Sequence, residues 1–230
     1  MTVPVRSIAL AATLLASCGG AAAPAPTAAQ STAPASPAPT TTPAATVSAA
    51  GPWTFTVDAS SKATVRVREV LAQIRAPGDA VLTTTGVKGT FTLNGDGTFA
   101  ASSKITADLT TLRSDQSQRD SFIKDNTLET RRFPTATFVP KQSTGLTLPL
   151  ALSGDVKFTL SGEMTIHGKT KTVSFAVSAT RAGSKLTATV TADPAWKFAD
   201  FGMTVPRVAS VLSIEDDIRV EIALVATETG

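Results

Sequence analysis

Residues 155–180 read DVKFTLSGEMTIHGKTKTVSFAVSAT and contain the clearest indication of the fold class. The first half alternates between apolar and polar side chains, with Val156, Phe158 and Leu160 on one face and charged or hydroxyl side chains on the other. A period of two is typical of a strand with one buried and one wet face. The His-Gly pair that follows can supply the positive φ values of a tight antiparallel turn. The stretch therefore predicts a long β-hairpin.

The same alternation recurs along the chain from residue 53 onward. Antiparallel strands with a single apolar face must stack as two sheets or close on themselves. Runs of about twelve residues are long for a sandwich and suit a tilted barrel, which at about eight strands can hold one small ligand. We therefore predict an all-β fold, a closed antiparallel β-barrel of about eight strands. The predicted strands are residues 53–57, 63–69, 87–93, 98–111, 135–140, 154–166, 170–180, 185–192 and 214–226.

A charged stretch in the middle of the chain interrupts the strand pattern. Asp115 followed three residues later by Gln118 is typical of a capping box, and residues 116–126 show no alternation. The Phe133-Pro134 step then ends any helix, because proline disfavours helical geometry at the residue before it. We predict a short helix that crosses one end of the barrel. The side chains expected near solvent on this helix are Arg119, Asp120, Lys124 and Asp125.

The N-terminus is predicted to be a targeting segment. Residues 1–17 contain a run of apolar or small side chains with one charge, at Arg6, and the run is too short to span a bilayer as a mature helix. Residues 15–18, Leu-Ala-Ser-Cys, resemble a bacterial lipobox, in which the cysteine becomes the lipid-bearing first residue. Cys18 is the only cysteine of the chain, so it has no intramolecular disulfide partner. We expect a lipoprotein signal peptide and lipidation at Cys18, and the alternatives are a plain signal peptide or an unrelated cysteine.

Residues 18–50 follow as an Ala/Pro/Thr-rich segment without a charged side chain. Such a composition cannot bury enough apolar surface to offset the entropy of ordering, so we predict a disordered tether. Residues 51–230 are then the folded domain. We expect an exported protein, anchored by lipid to a membrane of the bacterial cell envelope, that faces the periplasm or the cell surface.

Charge and motif content argue against several functions. Lys and Arg number 21 against 18 Asp and Glu, and the basic residues are scattered, which is not the footprint of a nucleic-acid-binding protein. The chain has one histidine, no tyrosine, no His/Cys cluster and neither a GxSxG nor a phosphate-loop motif. His167 precedes a hairpin glycine and is interpreted as a turn residue. We predict a protein that is not an enzyme and has no metal and no cofactor.

Several stretches, taken in order, resemble the YceI-like domain family. These are Arg119-Asp120 with residues 133–138, then residues 162–171, 200–203 and 214–221, while residues 53–55 and 87–91 fit the opening strands. Members of this family are lipocalin-like barrels associated with polyisoprenoid binding. The resemblance implies a lipocalin-like barrel whose apolar cavity holds the tail of an isoprenoid quinone, a polyprenyl phosphate or a similar amphiphile. Two departures are Phe122, where a polar residue or histidine is common, and residues 70–86, which form a longer first connection.

The resemblance also gives candidate binding residues. Arg119 could hold an anionic head group through its bidentate guanidinium, and the alternative is a salt bridge or cap that fixes the helix. The inward side chains could instead fill a solid core. The predicted cavity residues are Phe91, Phe99, Ile105, Phe138, Phe158, Met164 and Phe175.

Three functions remain open from the sequence. An envelope carrier that transports or stores an isoprenoid-type lipid or quinone predicts an elongated apolar cavity. A protein-interaction or scaffolding barrel predicts a filled core and an exposed apolar patch. An unrecognised hydrolase predicts titratable groups that converge in a pocket. The sequence indicates no particular protein partner.

Overall fold

The structure is a computed structural model that describes residues 50–229. The predicted signal peptide, Cys18 and nearly all of the predicted tether lie outside the described residues. Helix α1 is followed directly by a π-helical turn, Ile123–Thr127, and a short 3-10 helix, Phe198–Phe201, precedes β10. The strands and helix are β1 (Trp53–Val57), β2 (Lys62–Leu71), β3 (Pro77–Thr84), β4 (Val87–Leu93), β5 (Lys104–Asp108), α1 (Ser117–Phe122), β6 (Thr135–Thr144), β7 (Ser153–Ile166), β8 (Lys169–Ala182), β9 (Lys185–Ala192), β10 (Val211–Ile214) and β11 (Arg219–Glu228).

The strands form a closed antiparallel barrel of eight strands. The first two barrel strands are long and bent, and together they form one hairpin. Strands β1 and β2 make up its first arm and strands β3 and β4 its second, so β1 pairs with β4 and β2 pairs with β3. Strands β5 to β9 then pair each with the next, and β4 pairs with β5. Strand β11 closes the ring, because it pairs with β9 along one edge and with β2 and β1 along the other. The predicted fold class is confirmed.

Residues 70–86 were expected to be a long connection, and that expectation is wrong. They contain β3, which pairs with β2 from Ala63 opposite Thr84 to Val70 opposite Pro77. The connection itself is only residues 72–76. Ala80, Leu82 and Thr84 do alternate inward, but the small and hydroxyl side chains of this strand gave too weak a pattern beside the Pro-Gly pair.

The predicted strand at residues 98–111 is also shorter than expected. Only Lys104–Asp108 form a strand, since the chain turns at residues 100–103 and leaves isolated bridges at Thr98 and Phe99. Ser103 is buried and its hydroxyl accepts a hydrogen bond from the Thr92 amide at 2.9 Å. Apolar and polar residues continue to alternate through this turn, so the two-residue period did not reveal that the strand is interrupted.

Helix α1 forms where the sequence predicts it, but its start differs. The residue before it, Gln116, makes no side-chain cap, and the carboxylate of Asp115 instead accepts a hydrogen bond from Arg119 at 2.5 Å. The predicted capping box is therefore wrong. Asp120, expected near solvent, is buried and accepts hydrogen bonds from the amide and the hydroxyl of Ser114, each at 2.7 Å. This buried carboxylate therefore fixes the segment that leads into α1.

Among residues 50–229, all strand pairings and the buried apolar core lie between residues 53 and 228. A segment that contains these residues therefore carries the complete barrel and can be expected to fold by itself. Within the described part of the chain, no helix has both the length and the apolar character needed to cross a membrane.

Candidate functional site

The barrel interior contains a first cavity whose walls are entirely apolar. Its side chains come from the inward positions of β1, β4 to β9 and β11 and from the segments between β4 and β5 and between β6 and β7. Almost every strand of the barrel therefore contributes to the cavity wall. The cavity volume is about 70 Å³. Of the predicted cavity residues, Phe91, Phe99, Ile105 and Phe158 line it. The others are Phe55, Leu93, Pro140, Leu146, Leu150, Val156, Leu160, Val177, Ala179, Leu186, Ala188, Val190 and Leu224.

The remaining predicted cavity residues, Phe138, Met164 and Phe175, are buried but do not line this cavity. Phe138 packs edge to face on Phe175 at 5.1 Å between ring centres, and Phe175 packs on Trp196 at 5.8 Å. Trp196 in turn contacts Phe201 at 5.4 Å. We call Phe138, Phe175, Trp196 and Phe201 the aromatic layer. It fills the barrel beside the first cavity, where each pair also gains an edge-to-face contact.

The aromatic layer limits what the first cavity can hold as it stands. A water molecule takes roughly 30 Å³ of liquid volume, and small-molecule sites usually offer roughly 300 to 1,000 Å³. A cavity of about 70 Å³ is thus smaller than an amphiphile with several prenyl units requires. An elongated ligand would enter only if the ring of Phe175 or a neighbouring ring moved.

A second cavity of about 300 Å³ lies where β2 and β3 extend beyond the rest of the barrel. Helix α1 forms one wall, and the chain before and within β10 forms another. Its lining is mixed, with apolar side chains such as Leu71, Leu82 and Phe122 beside the charged pair of Glu69 and Arg119. An amphiphile would find apolar surface and charge in the same cavity.

Arg119 is committed to two carboxylates in this second cavity. Its guanidinium donates to Glu69 at 2.6 Å and to Asp115 at 2.5 Å, and the Arg119 side chain is 17% exposed. Glu69 is buried, so the pair is desolvated and each partner needs the other. The geometry is that of a salt bridge which fixes α1 to β2. An anionic head group would have to compete with Glu69 for Arg119, and a head-group role for Arg119 stays a prediction.

Arg181 was missed by sequence reasoning although it stands on the inward face of β8. It follows Phe175, Val177 and Ala179 at intervals of two, and its side chain is 2% exposed. Nη2 donates to the Glu228 carboxylate and Nε to the carbonyl of Gly183, while Nη1 has no hydrogen-bond partner among the described residues. A charged residue in an otherwise apolar inward series was the signal that could have identified it.

The guanidinium of Arg181 also contacts an aromatic ring that lines the first cavity. Its central carbon lies 5.7 Å from the ring centre of Phe55, within the range of a cation–π contact. Arg181 and Glu228 together bring a neutralised ion pair close to one end of the apolar interior.

His167 belongs to a structural cluster that joins three of the stretches named in the sequence analysis, residues 133–138, 162–171 and 200–203. Its backbone has φ of 50°, Nδ1 lies 3.3 Å from the carbonyl oxygen of Phe201, and Nε2 lies 3.2 Å from Glu129. The Phe133 ring packs edge to face on the imidazole at 4.8 Å between ring centres. Gly168 adopts φ of +71°, and a Cβ atom there would lie 2.7 Å from Phe133. The interpretation of His167 as a turn residue fits these contacts.

Two carboxylates at this end of the barrel have lowered pKa values. The hydrogen bond from His167, and then that from Arg132, hold the pKa of Glu129 below its ordinary value of 4.5. The hydrogen bond from Lys171, and then that from the Lys197 amide, hold the pKa of Asp200 below 3.8. Both groups are therefore ionised at neutral pH and serve as acceptors for neighbouring segments.

The described residues contain no group of three His, Cys, Asp or Glu side chains placed to hold a metal ion. The carboxylates that line the second cavity or flank Arg119 are already paired with it. The interior described here is suited to apolar contact more than to proton transfer.

Comparison with known families and structures agrees with this architecture. The profile of the YceI-like domain matches residues 46–226. A polyisoprenoid binding domain from Saccharophagus degradans implicated in plant cell wall breakdown is 17% identical, with a TM-score of 0.59 over 76% of this chain and 98% of that one. BcnA of Burkholderia cenocepacia is 18% identical, with a TM-score of 0.55 over 74% of this chain and 99% of that one. At such identities the two structures show a shared fold. Among curated proteins, no match is found.

Proposed function

Because this chain belongs to the YceI-like domain family, we propose that its barrel binds an isoprenoid-type amphiphile, such as an isoprenoid quinone or a polyprenyl phosphate. The observation that supports this most directly is the first cavity, whose lining residues are all apolar. A family neighbour of the same fold is a polyisoprenoid binding domain. The prenyl tail would occupy the interior, and the polar head would remain at one end.

The amphiphile must displace part of the aromatic layer to be held along the barrel. The layer rests on edge-to-face contacts worth about 1 kcal/mol each, whereas burying prenyl carbon gains about 0.8 kcal/mol per CH₂ group. A tail of several prenyl units therefore gains more than the broken contacts cost. We expect the ligand-bound protein to differ from this structure in the side chains of Phe138 and Phe175.

The setting of this activity is also part of the proposal. With lipidation at Cys18 and the Ala/Pro/Thr-rich residues 19–50 as a tether, the barrel would be held at a membrane of the cell envelope. A barrel there could store an amphiphile or carry it across the aqueous space between membranes. The proposal gives the protein a binding role and no reaction.

A titration with an isoprenoid quinone tests this function. Both tryptophans of the chain, Trp53 and Trp196, are buried in the barrel, and Trp196 belongs to the aromatic layer. A quinone that enters the interior should quench their fluorescence with a saturable curve, and a prenyl alcohol without a quinone ring should reverse the quenching by competition. Quenching that stays linear and is not reversed would refute binding in the interior.

A second candidate function is a non-catalytic protein-interaction or scaffolding barrel. The specific observation in its favour is that the aromatic layer fills much of the interior. Among the residues that the structure describes, three large apolar side chains remain exposed, at Ile74, Val208 and Leu212. A filled core with an exposed patch is what this function predicts. A protein that takes up no prenyl ligand in the titration would favour this second role over ligand binding.

A further inference from the structure

The large apolar side chains that the described part of the chain exposes all lie near one end of the barrel. Ile74 is 66% exposed, Leu212 61% and Val208 36%. Ile74 stands in the turn between β2 and β3, and the other two stand in residues 205–213. We call these three side chains the apolar rim.

The two segments of the apolar rim are joined to each other. The amide of Ala72 donates to the carbonyl of Ser210 at 3.0 Å, and Leu71 pairs with Val211 in the β2–β10 register. Because the two segments run antiparallel, Ile74 and Val208 both lie beyond this junction, at the end of the β2–β3 hairpin. Leu212 lies on the other side of the junction, at the level of Val70 and Leu71, and lines the same open groove as Val208. The three side chains therefore form one elongated patch.

The charged side chains in the two segments that carry the apolar rim are all positive. Residues 72–76 and 205–213 contain two arginines, Arg75 and Arg207, and no carboxylate. Both arginines are exposed, and within the described chain neither forms an ion pair.

Most carboxylates near these segments have other partners. Glu69 is paired with Arg119, and Asp79 is paired with arginines of β2 and β11. Asp216 accepts a hydrogen bond from the Phe198 amide and lines a neighbouring groove with Arg207, and Glu215 is exposed beyond the end of β10. The patch is thus apolar at its tips and basic between them.

The apolar rim also borders the second cavity. Leu71, Val208 and Val211 line that cavity, and an open groove lies along residues 205–214 as well. The mouth of the cavity and the exposed side chains therefore face the same surroundings.

We propose that the apolar rim is a membrane-docking surface for a bilayer that contains anionic lipids. Ile74, Val208 and Leu212 insert into the boundary between head groups and acyl chains, and Arg75 and Arg207 contact lipid phosphates. A few inserted side chains and two basic residues are enough for reversible binding to such a surface. A stable protein interface needs about 800 Å² from each partner, and three side chains supply roughly a few hundred.

Docking in this way would place the mouth of the second cavity on the bilayer. An amphiphile could then move between membrane and barrel without its tail crossing water. The docking surface goes beyond the proposed ligand binding and does not require it, since the protein can be tested without any ligand.

A local fluorescent probe tests the orientation. Residues 46–230 contain no cysteine, so Leu212→Cys gives a single attachment site for an environment-sensitive dye, and Ser102→Cys gives an exposed control site near the opposite end. With vesicles of phosphatidylcholine and phosphatidylglycerol, the dye at position 212 should shift to the blue and the dye at position 102 should not. No shift at position 212, or equal shifts at both, would overturn the proposal. A shift that grows with protein concentration without vesicles would indicate a second copy of the chain and would also overturn it.

Vesicle co-sedimentation tests the charge contribution. Each arginine near an anionic surface contributes roughly a fivefold gain in partitioning, so R75Q/R207Q should lower partitioning by about 30-fold. The matched variant K157Q/K185Q changes the net charge equally at exposed positions away from the rim and should lower it only about twofold. I74S and L212S should each lower it by about tenfold. Equal effects of the two charge variants, in proteins shown to fold by circular dichroism, would contradict a specific docking surface.

Discussion

Replacing Gly168 by alanine is expected to loosen the contact between the β7–β8 turn and the segment before β6. Gly168 has φ of +71°, and an added Cβ would lie 2.7 Å from Cε1, 3.2 Å from Cζ and 3.4 Å from Cδ1 of Phe133. Left-handed backbone costs an L-residue about 1 to 2 kcal/mol. Moving the Phe133 ring off the imidazole of His167 adds an overpacking cost of about 2 kcal/mol. We expect G168A to lower the free energy of unfolding by about 3 kcal/mol.

Gly183 provides the matched control. It has φ of +61° in the turn between β8 and β9, and nothing lies within 4 Å of a Cβ built there. G183A therefore carries the same backbone strain without the clash and should cost only about 1 kcal/mol. Urea unfolding of both variants, with unchanged slopes, measures the difference directly.

A double-mutant cycle then identifies the clashing ring. In a Phe133→Leu background, where the ring edge near Gly168 is gone, the cost of G168A should fall to about the cost of G183A. The reasoning would be refuted if G168A and G183A were equally destabilising. It would also be refuted if the cost of G168A were unchanged in the Leu background.

Three further predictions concern burial, acid stability and the first cavity. R181M should lower the free energy of unfolding by about 3 kcal/mol, because it leaves the mostly buried carboxylate of Glu228, 18% exposed, without its partner. R219M breaks a half-exposed pair and should cost less than about 1 kcal/mol, and equal costs of the two variants in urea unfolding would contradict this. The pKa of Asp200 is lowered in the folded state, so the contribution of this carboxylate to stability is present above pH 3.8 and is lost as the pH falls below that value. The difference in the free energy of unfolding between wild type and D200N should therefore narrow from pH 7 to about pH 3. A constant difference would refute the assignment. A188L fills the first cavity and should weaken quinone binding by at least about tenfold in the fluorescence titration. The control variant A176L, on the outer face of the barrel, should bind the quinone as wild type does. Unchanged binding by A188L would place the ligand elsewhere.

Strand alternation predicted the barrel because its long strands carry strong patterns. In β7 and β8 most inward positions are large and apolar and the outward ones are mostly polar. The register joins Ser153 to Ala182 and Ile166 to Lys169, as a hairpin requires. Where inward side chains are small or hydroxyl-bearing, as in β3, the period is present but weak. At residues 100–103 the chain turns while apolar and polar residues continue to alternate in the sequence. Such a turn cannot be predicted from the alternation alone.

The candidate site was predictable in part for the same reason. Phe91 and Phe158 stand on clear alternating strands, and both line the first cavity. The aromatic layer was not foreseen, because Trp196 and Phe201 come from a segment without a period that folds into the barrel. The burial of Arg181 was not predicted, because charged side chains are almost never buried unless they are paired. Its partner carboxylate, Glu228, is 47 residues further along the chain and is brought beside it only by the fold.

The most direct test of the central claim is native mass spectrometry of residues 46–230 exported from a bacterial host, followed by organic extraction. The account predicts a co-purifying prenyl lipid or isoprenoid quinone at close to one per chain, bound to a protein of the expected mass. A protein that emerges without such a ligand, and that also fails to take up added prenyl lipids, would contradict ligand binding in the barrel and indicate a filled interior.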